Sequence, residues 1–135
     1  MLQAYSTNAT IAANAACPFN NVTLEKGCTA KLTAPGTIEL NQRGVYLVEF
    51  DAYATPSAAG LVTFQLTKDG IAQPQAISSF TGATATVDVA SFKTFVQVAQ
   101  NNTNCCCTSP TVLRVINGAT ALTEAHVNIC VTKIC

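Results

Sequence analysis

The chain has 135 residues, of which 49% are apolar and only 10% are charged, and its formal net charge is zero. The length predicts a single domain, and the apolar content excludes an intrinsically disordered segment. Without a basic excess the chain is a poor candidate for binding nucleic acid, because that affinity comes from neutralising phosphates. A small, weakly charged protein is also poorly protected against self-association.

The N-terminal segment lacks both the basic residues and the apolar run of a secretory signal, which predicts folding in the cytosol. No stretch approaches the roughly 20 apolar residues of a membrane-spanning helix, so we expect no membrane insertion. Residues 1–20 are rich in Ala, Asn and Thr and show no aliphatic alternation. They are predicted to form a polar arm or attachment segment ahead of one domain at 21–135.

Alternation of apolar and polar residues is the dominant pattern from residue 21 onward, which predicts strands. Short strands are expected at 21–24, 30–33 and 37–40, and turn-forming residues follow the second and the third. The strongest strand is 45–54. One of its faces is core-like and the other mixes apolar and acidic groups. The core-like face carries Tyr46, Val48, Phe50 and Ala52, and the mixed face carries Val45, Leu47, Glu49, Asp51 and Tyr53.

A hairpin is predicted at 61–77, because Asp69-Gly70 stands between two alternating runs. Pro74 in its second strand indicates a sheet edge or a bulge. Further strands are expected at 83–89, 92–99, 111–116 and 127–134. The prediction is therefore an all-β domain of eight to ten strands, either a sandwich or a barrel.

Seven cysteines leave several interpretations open, because an odd number cannot all pair within one chain. The favoured interpretation is reduced, partly buried thiols. The alternative is a disulfide that joins the triplet Cys105, Cys106 and Cys107 to Cys130 or Cys135, and a metal or redox site is the least favoured. The triplet has no C-x-x-C element and no nearby histidine, so it does not match a zinc finger.

Catalytic patterns are scarce. His126 is the only histidine, and no motif places a nucleophile beside it; we interpret it as an ordinary surface or turn residue. Glu49 and Asp51 are interpreted as a solvated or subunit-facing polar stripe, with a cation site as the alternative. We expect no catalytic site, cofactor or metal.

Large apolar residues on both faces of strand 45–54 predict a covered outer face, since an antiparallel sheet in a monomer usually turns one polar face to water. Strand 111–116 shows the same feature. The candidate subunit interface comprises Val45, Leu47, Tyr53, Leu113 and Val115. The alternative is that other strands of the same sandwich cover both faces.

Three segments together resemble the trimeric jelly roll of tumour-necrosis-factor-like and complement globular-head domains, above all its bacterial and phage versions. They are the strand after a glycine turn at 44–48, the hairpin at 62–75, and the terminal pair 113–117 and 127–134. The resemblance covers about residues 20–135 and implies an antiparallel jelly-roll sandwich that forms a homotrimer. In place of the collagen-like stalk usual in these versions, we expect the polar arm.

Stalkless heads of this kind resemble accessory proteins of tailed-phage virions. The resemblance therefore implies a non-enzymatic decoration or head-fibre protein on the virion surface. The arm would bind a capsid or other virion protein, and loops 55–60 and 100–109 are candidates for touching a host-surface glycan. The alternatives are an extracellular or spore-surface head that binds a carbohydrate or receptor, and a small hydrolase or redox enzyme using Cys106 or His126.

Overall fold

The computed structural model describes residues 1–99 and 110–135, which form two five-stranded antiparallel sheets. The strands are β1 (Leu2–Ile11), β2 (Asn21–Glu25), β3 (Ala30–Ala34), β4 (Thr37–Leu40), β5 (Gly44–Pro56), β6 (Gly60–Lys68), β7 (Ile71–Gly82), β8 (Asp88–Val98), β9 (Thr111–Asn117) and β10 (Leu122–Lys133). The first sheet has the order β2-β1-β10-β5-β8, and the second has the order β3-β4-β9-β6-β7. In these two described ranges, no helix is long and apolar enough to cross a membrane.

The core lies between the two sheets, where alternate residues of each strand point inward. Phe50 of β5 is fully buried at its centre. Its ring centroid lies 5.2 Å from that of Phe64 in the opposite sheet, 5.0 Å from that of Phe92 and 6.4 Å from that of Phe19. Packing of both inner faces around one aromatic cluster confirms the predicted antiparallel jelly-roll sandwich.

The predicted hairpin is β6–β7. Asp69 and Gly70 at its tip both have positive φ, 52° and 82°, as the tight hairpin turn requires. β7 is the edge strand of the second sheet, as Pro74 predicted. The register shifts near the proline, and the Gln65 amide there donates hydrogen bonds to the carbonyls of Gln73 (2.6 Å) and Ala76 (3.1 Å). These bonds replace ladder bonds that the irregular segment does not make.

The expectation of a polar arm at 1–20 is wrong. Residues 2–11 form β1, which pairs with β10 on one side and β2 on the other. Leu2 and Ile11 point into the core, and Cys17 and Phe19 are also fully buried. The inward positions between the two aliphatic residues carry small side chains, and Asn8 has positive φ (51°) at a shift of register. Small core residues and a bulge together hide the alternation that identifies a strand.

The two strands predicted at 83–99 are one. β7 continues to Gly82, a turn follows in which the Thr86 amide donates to the Ala83 carbonyl (3.1 Å), and β8 then runs without a break. β7 and β8 are the last strands of their respective sheets and lie beside each other. The Ser91 amide of β8 donates to the Ser78 hydroxyl of β7 (3.2 Å).

Candidate subunit interface

The outer face of the first sheet carries side chains from β1, β10, β5 and β8. Along each strand, these outward residues alternate with the residues that point into the core. Val45 and Leu47 are half-buried there and Tyr53 is 50% exposed. Neighbouring positions of β8 add Val89 and Phe95, which are 67% and 61% exposed. The register places Leu47 beside Phe95 and Tyr53 beside Val89, with the polar pairs Glu49–Lys93 and Asp51–Ser91 between them. Together the exposed apolar groups make a surface of the kind that marks a binding site for another molecule. We call this surface the apolar face.

Leu113 and Val115 do not belong to this face, so their assignment to a subunit interface is wrong. Both are fully buried between the sheets. On β9 the outward positions are Val112, Arg114 and Ile116, and the two apolar ones are half-buried. The sequence predicts the alternation along β9 correctly, but it assigns Leu113 and Val115 to the outer side of the sheet instead of the core side.

Val89 and Phe95 were missed by sequence analysis, although their pattern contained a signal. Strand β8 has apolar residues on both of its faces: Phe92 and Val96 are buried, whereas Val89 and Phe95 are exposed. The same pattern on β5 had indicated a covered outer face. Applied to 88–98, it would have predicted these two residues as well.

An open groove of about 440 Å³ crosses the outer face of the first sheet. It combines aromatic, apolar and polar side chains from four strands. The lining residues are Gln3, Tyr5, Asp51, Ala52, Tyr53, Val89, His126 and Asn128.

Three rings stack side by side along this groove. The His126 ring of β10 lies parallel to the ring of Tyr53, its cross-strand partner on β5, with centroids 4.8 Å apart and an interplanar angle of 2°. On its other side Tyr5 of β1 stacks at 6.3 Å and 24°. The imidazole therefore contacts two phenol rings, and the interpretation of His126 as an ordinary surface or turn residue misses this stack.

The two acidic residues of β5 have different surroundings. Glu49 forms an ion pair with Lys93 of β8 (3.2 Å), and because both side chains are largely exposed it contributes little to stability. Asp51 lies in the groove, and no described residue pairs with its carboxylate. Within 1–99 and 110–135, no group of three or more His, Cys, Asp or Glu is arranged to hold a metal ion.

The cysteines that the structure describes are spread over the molecule and form no disulfide with one another. Cys17 is buried in the core, and burial raises the pKa of its thiol to about 12. Cys130 is half-buried on the outer face of β10, whereas Cys28 and Cys135 are exposed. The triplet Cys105, Cys106 and Cys107 and the candidate loop 100–109 lie outside the described residues.

Solved structures share this fold at low sequence identity. The globular domain of zebrafish complement 1qA superposes with a TM-score of 0.74 at 10% identity, covering 99% of this chain and 96% of that chain. The vertex protein P5 of PRD1 gives 0.65 at 18% identity, with 99% and 96% covered. Eiger, a tumour necrosis factor from S. frugiperda, gives 0.66 at 13% identity, with 98% and 92% covered.

No protein-family model and no curated protein sequence matches the chain. The structural matches nevertheless span nearly the whole chain. The chain has the jelly-roll fold of tumour-necrosis-factor-like and complement globular-head domains, which confirms the resemblance inferred from the three sequence segments.

Proposed function

We propose that this chain is a homotrimeric, non-enzymatic structural head on a phage virion, serving as a capsid decoration or head-fibre protein. The observation that carries the proposal is the apolar face, with Tyr53, Val89 and Phe95 each at least half exposed. A side chain of this size contributes about 1.5 to 3 kcal/mol when it is fully buried. A few such residues per subunit suffice to hold an oligomer together without ion pairs.

A second copy of the chain is the partner that fits this face. The sandwich carries another set of exposed apolar side chains on β6 and β7, where Leu61, Ile71 and Ile77 are 58%, 69% and 49% exposed. Contact between two different patches of the same chain is heterologous, and such contacts generate a closed ring when the rotation closes. The family resemblance implies three copies around the axis.

The virion assignment is supported by the vertex protein P5 of phage PRD1, whose fold matches over 99% of this chain. Attachment to a capsid is part of the proposal, but β1 is paired on both edges and cannot serve as a free arm. Among the described residues, attachment is therefore assigned to the surface of the folded head. Of the two candidate loops for binding a host glycan, the structure describes 55–60. This loop is short, because β5 extends to Pro56 and β6 begins at Gly60.

An extracellular head that binds a carbohydrate or a receptor is the second candidate. It is supported by the complement and Eiger structures, whose likeness to this chain is as extensive as that of P5. Both candidates require the same trimer and differ only in what the trimer binds.

The trimer is tested by sedimentation equilibrium, which should give three times the subunit mass of 14.1 kDa. Val89→Glu and Phe95→Glu should each shift the protein toward the single subunit, because a buried unpaired carboxylate is costly. Thr33→Glu on the exposed surface of β3 is the matched control and should leave the mass unchanged. A wild-type protein that stays at 14.1 kDa at high concentration would refute the trimer.

The two locations are separated by fractionating an infected or producing culture. A virion protein should copurify with particles through a density gradient and be labelled on their surface by antibody in electron microscopy. Recovery only in the particle-free medium, together with glycan binding on an array, would favour the extracellular head instead.

A further inference from the structure

The groove on the outer face of the first sheet holds an unpaired acidic group close to the chain's single histidine. Asp51 and His126 both line the groove. In the register of β5 and β10, Asp51 pairs with Asn128 and Tyr53 pairs with His126, so the aspartate and the histidine are diagonal neighbours. Diagonal positions on one face of an antiparallel pair lie about 7 to 8 Å apart, within reach of longer side chains.

The charged and titratable groups around His126 are mostly acidic or phenolic. β1 contributes Tyr5 and β5 contributes Tyr53 and Asp51. On β10 itself, Glu124 is the next residue along the same face, and β8 contributes the apolar Val89. Lys93 of β8 is the basic group of this sheet face. It is also a diagonal neighbour of Asp51, since Asp51 pairs with Ser91 and Glu49 with Lys93, but its ammonium forms an ion pair with Glu49. Because Lys93 is paired with Glu49, His126 is the residue of the groove lining that can gain a positive charge beside Asp51.

Covering the groove raises the free-energy cost of keeping the Asp51 carboxylate charged. The Asp51 side chain is exposed in the single subunit, so water solvates its carboxylate. A neighbouring subunit on the apolar face would exclude that water, and an isolated buried carboxylate is strongly unfavourable unless an opposite charge accompanies it. Histidine is the side chain that ordinarily gains its charge between about pH 8 and 5.

We propose that assembly of the trimer takes up a proton in this groove, held by His126 as the counter-charge of Asp51. The proton comes from solvent, and no covalent bond changes. The assembled state then binds more protons than the free subunit, so association strengthens as pH falls. Each proton taken up changes the association constant by about tenfold per pH unit over the range in which it binds. This inference rests on the trimer of the proposed function.

The test is sedimentation equilibrium over a range of concentrations at about pH 8 and about pH 6, the interval in which histidine gains its charge. Wild type should associate at least tenfold more tightly at the lower pH. Asp51→Asn should associate more tightly than wild type at the higher pH and lose most of the dependence. His126→Gln should lose the strengthening at low pH, and Glu39→Gln on the opposite sheet should behave like wild type.

The outcomes separate this inference from the trimer itself. A wild-type trimer with the same association constant at both pH values, or full pH dependence in His126→Gln, overturns the proton uptake and leaves the trimer standing. A single subunit at both pH values overturns both. Because the chain has one histidine, its imidazole NMR signal gives an independent readout. The titration midpoint of the trimer should be higher in wild type than in Asp51→Asn, and equal midpoints would contradict the pairing.

Discussion

Replacing Leu2 by alanine tests whether the N-terminal segment is a structural strand. Leu2 is fully buried, and its backbone pairs with Val131 of β10 and Glu25 of β2. If residues 1–11 were a solvated arm, truncating the Leu2 side chain would leave the free energy of unfolding unchanged. If β1 is part of the core, the substitution opens a cavity in the space between the two sheets.

The expected loss follows from that burial. Truncation of a buried leucine to alanine costs about 2 to 5 kcal/mol, because it combines lost transfer free energy with a cavity. We expect about 3 kcal/mol here, a large share of the roughly 5 to 15 kcal/mol that holds a typical domain folded. With a urea dependence of about 1 to 3 kcal/mol per molar, the unfolding midpoint should fall by about 1 to 3 M.

The assay is urea unfolding followed by circular dichroism at one fixed protein concentration, because self-association raises apparent stability by mass action. The matched control is Thr7→Ala on the same strand, whose side chain is exposed; it should change the free energy of unfolding by no more than about 0.5 kcal/mol. If Leu2→Ala and Thr7→Ala are indistinguishable, β1 is not a structural strand and the sandwich lacks its N-terminal element.

Two further changes probe the core and one turn. The raised pKa of the buried Cys17 thiol, about 12 against an ordinary 9.0, means that the unfolded chain loses this proton first. Its contribution to stability is therefore complete below pH 9 and falls by about 1.4 kcal/mol per pH unit from there toward pH 12. In urea titrations over that pH range, Cys17→Ala should lose less stability than wild type. An equal loss of stability with pH in the two proteins would contradict this. Gly44→Ala should destabilise more than Gly70→Ala, which costs about 1 kcal/mol for positive φ alone. A methyl group at position 44 would collide with the Cys135 carbonyl oxygen, whereas position 70 is open, so equal melting temperatures for the two variants would refute the collision.

Strong local patterns were enough to predict much of the sandwich. Strand β5 has an apolar residue at every second position, among them Tyr46, Val48 and Phe50, and the β6–β7 hairpin has Asp69-Gly70 between two alternating runs. In both cases the backbone preference and the hydrophobic pattern agree, so neighbours along the chain suffice for the prediction. β1 lacked this agreement, because its inward positions include Ala4 and Ser6 and a bulge follows at Asn8.

The candidate interface shows what sequence alone determined and what the tertiary structure decided. Apolar residues at both odd and even positions of a strand predicted that both of its surfaces are covered. The residues that share each surface follow from the two-residue period of a strand. Which surface faces the core depends on packing against the opposite sheet, whose strands are distant in sequence. The face of β5 that carries Phe50 packs on the second sheet, which leaves Tyr53 outside. In the second sheet, the face of β9 that carries Leu113 and Val115 is turned inward. Pairing of β10 with β1 and with β5, both distant in sequence, assembled Tyr5, Tyr53 and His126 into one stack that no local pattern contained.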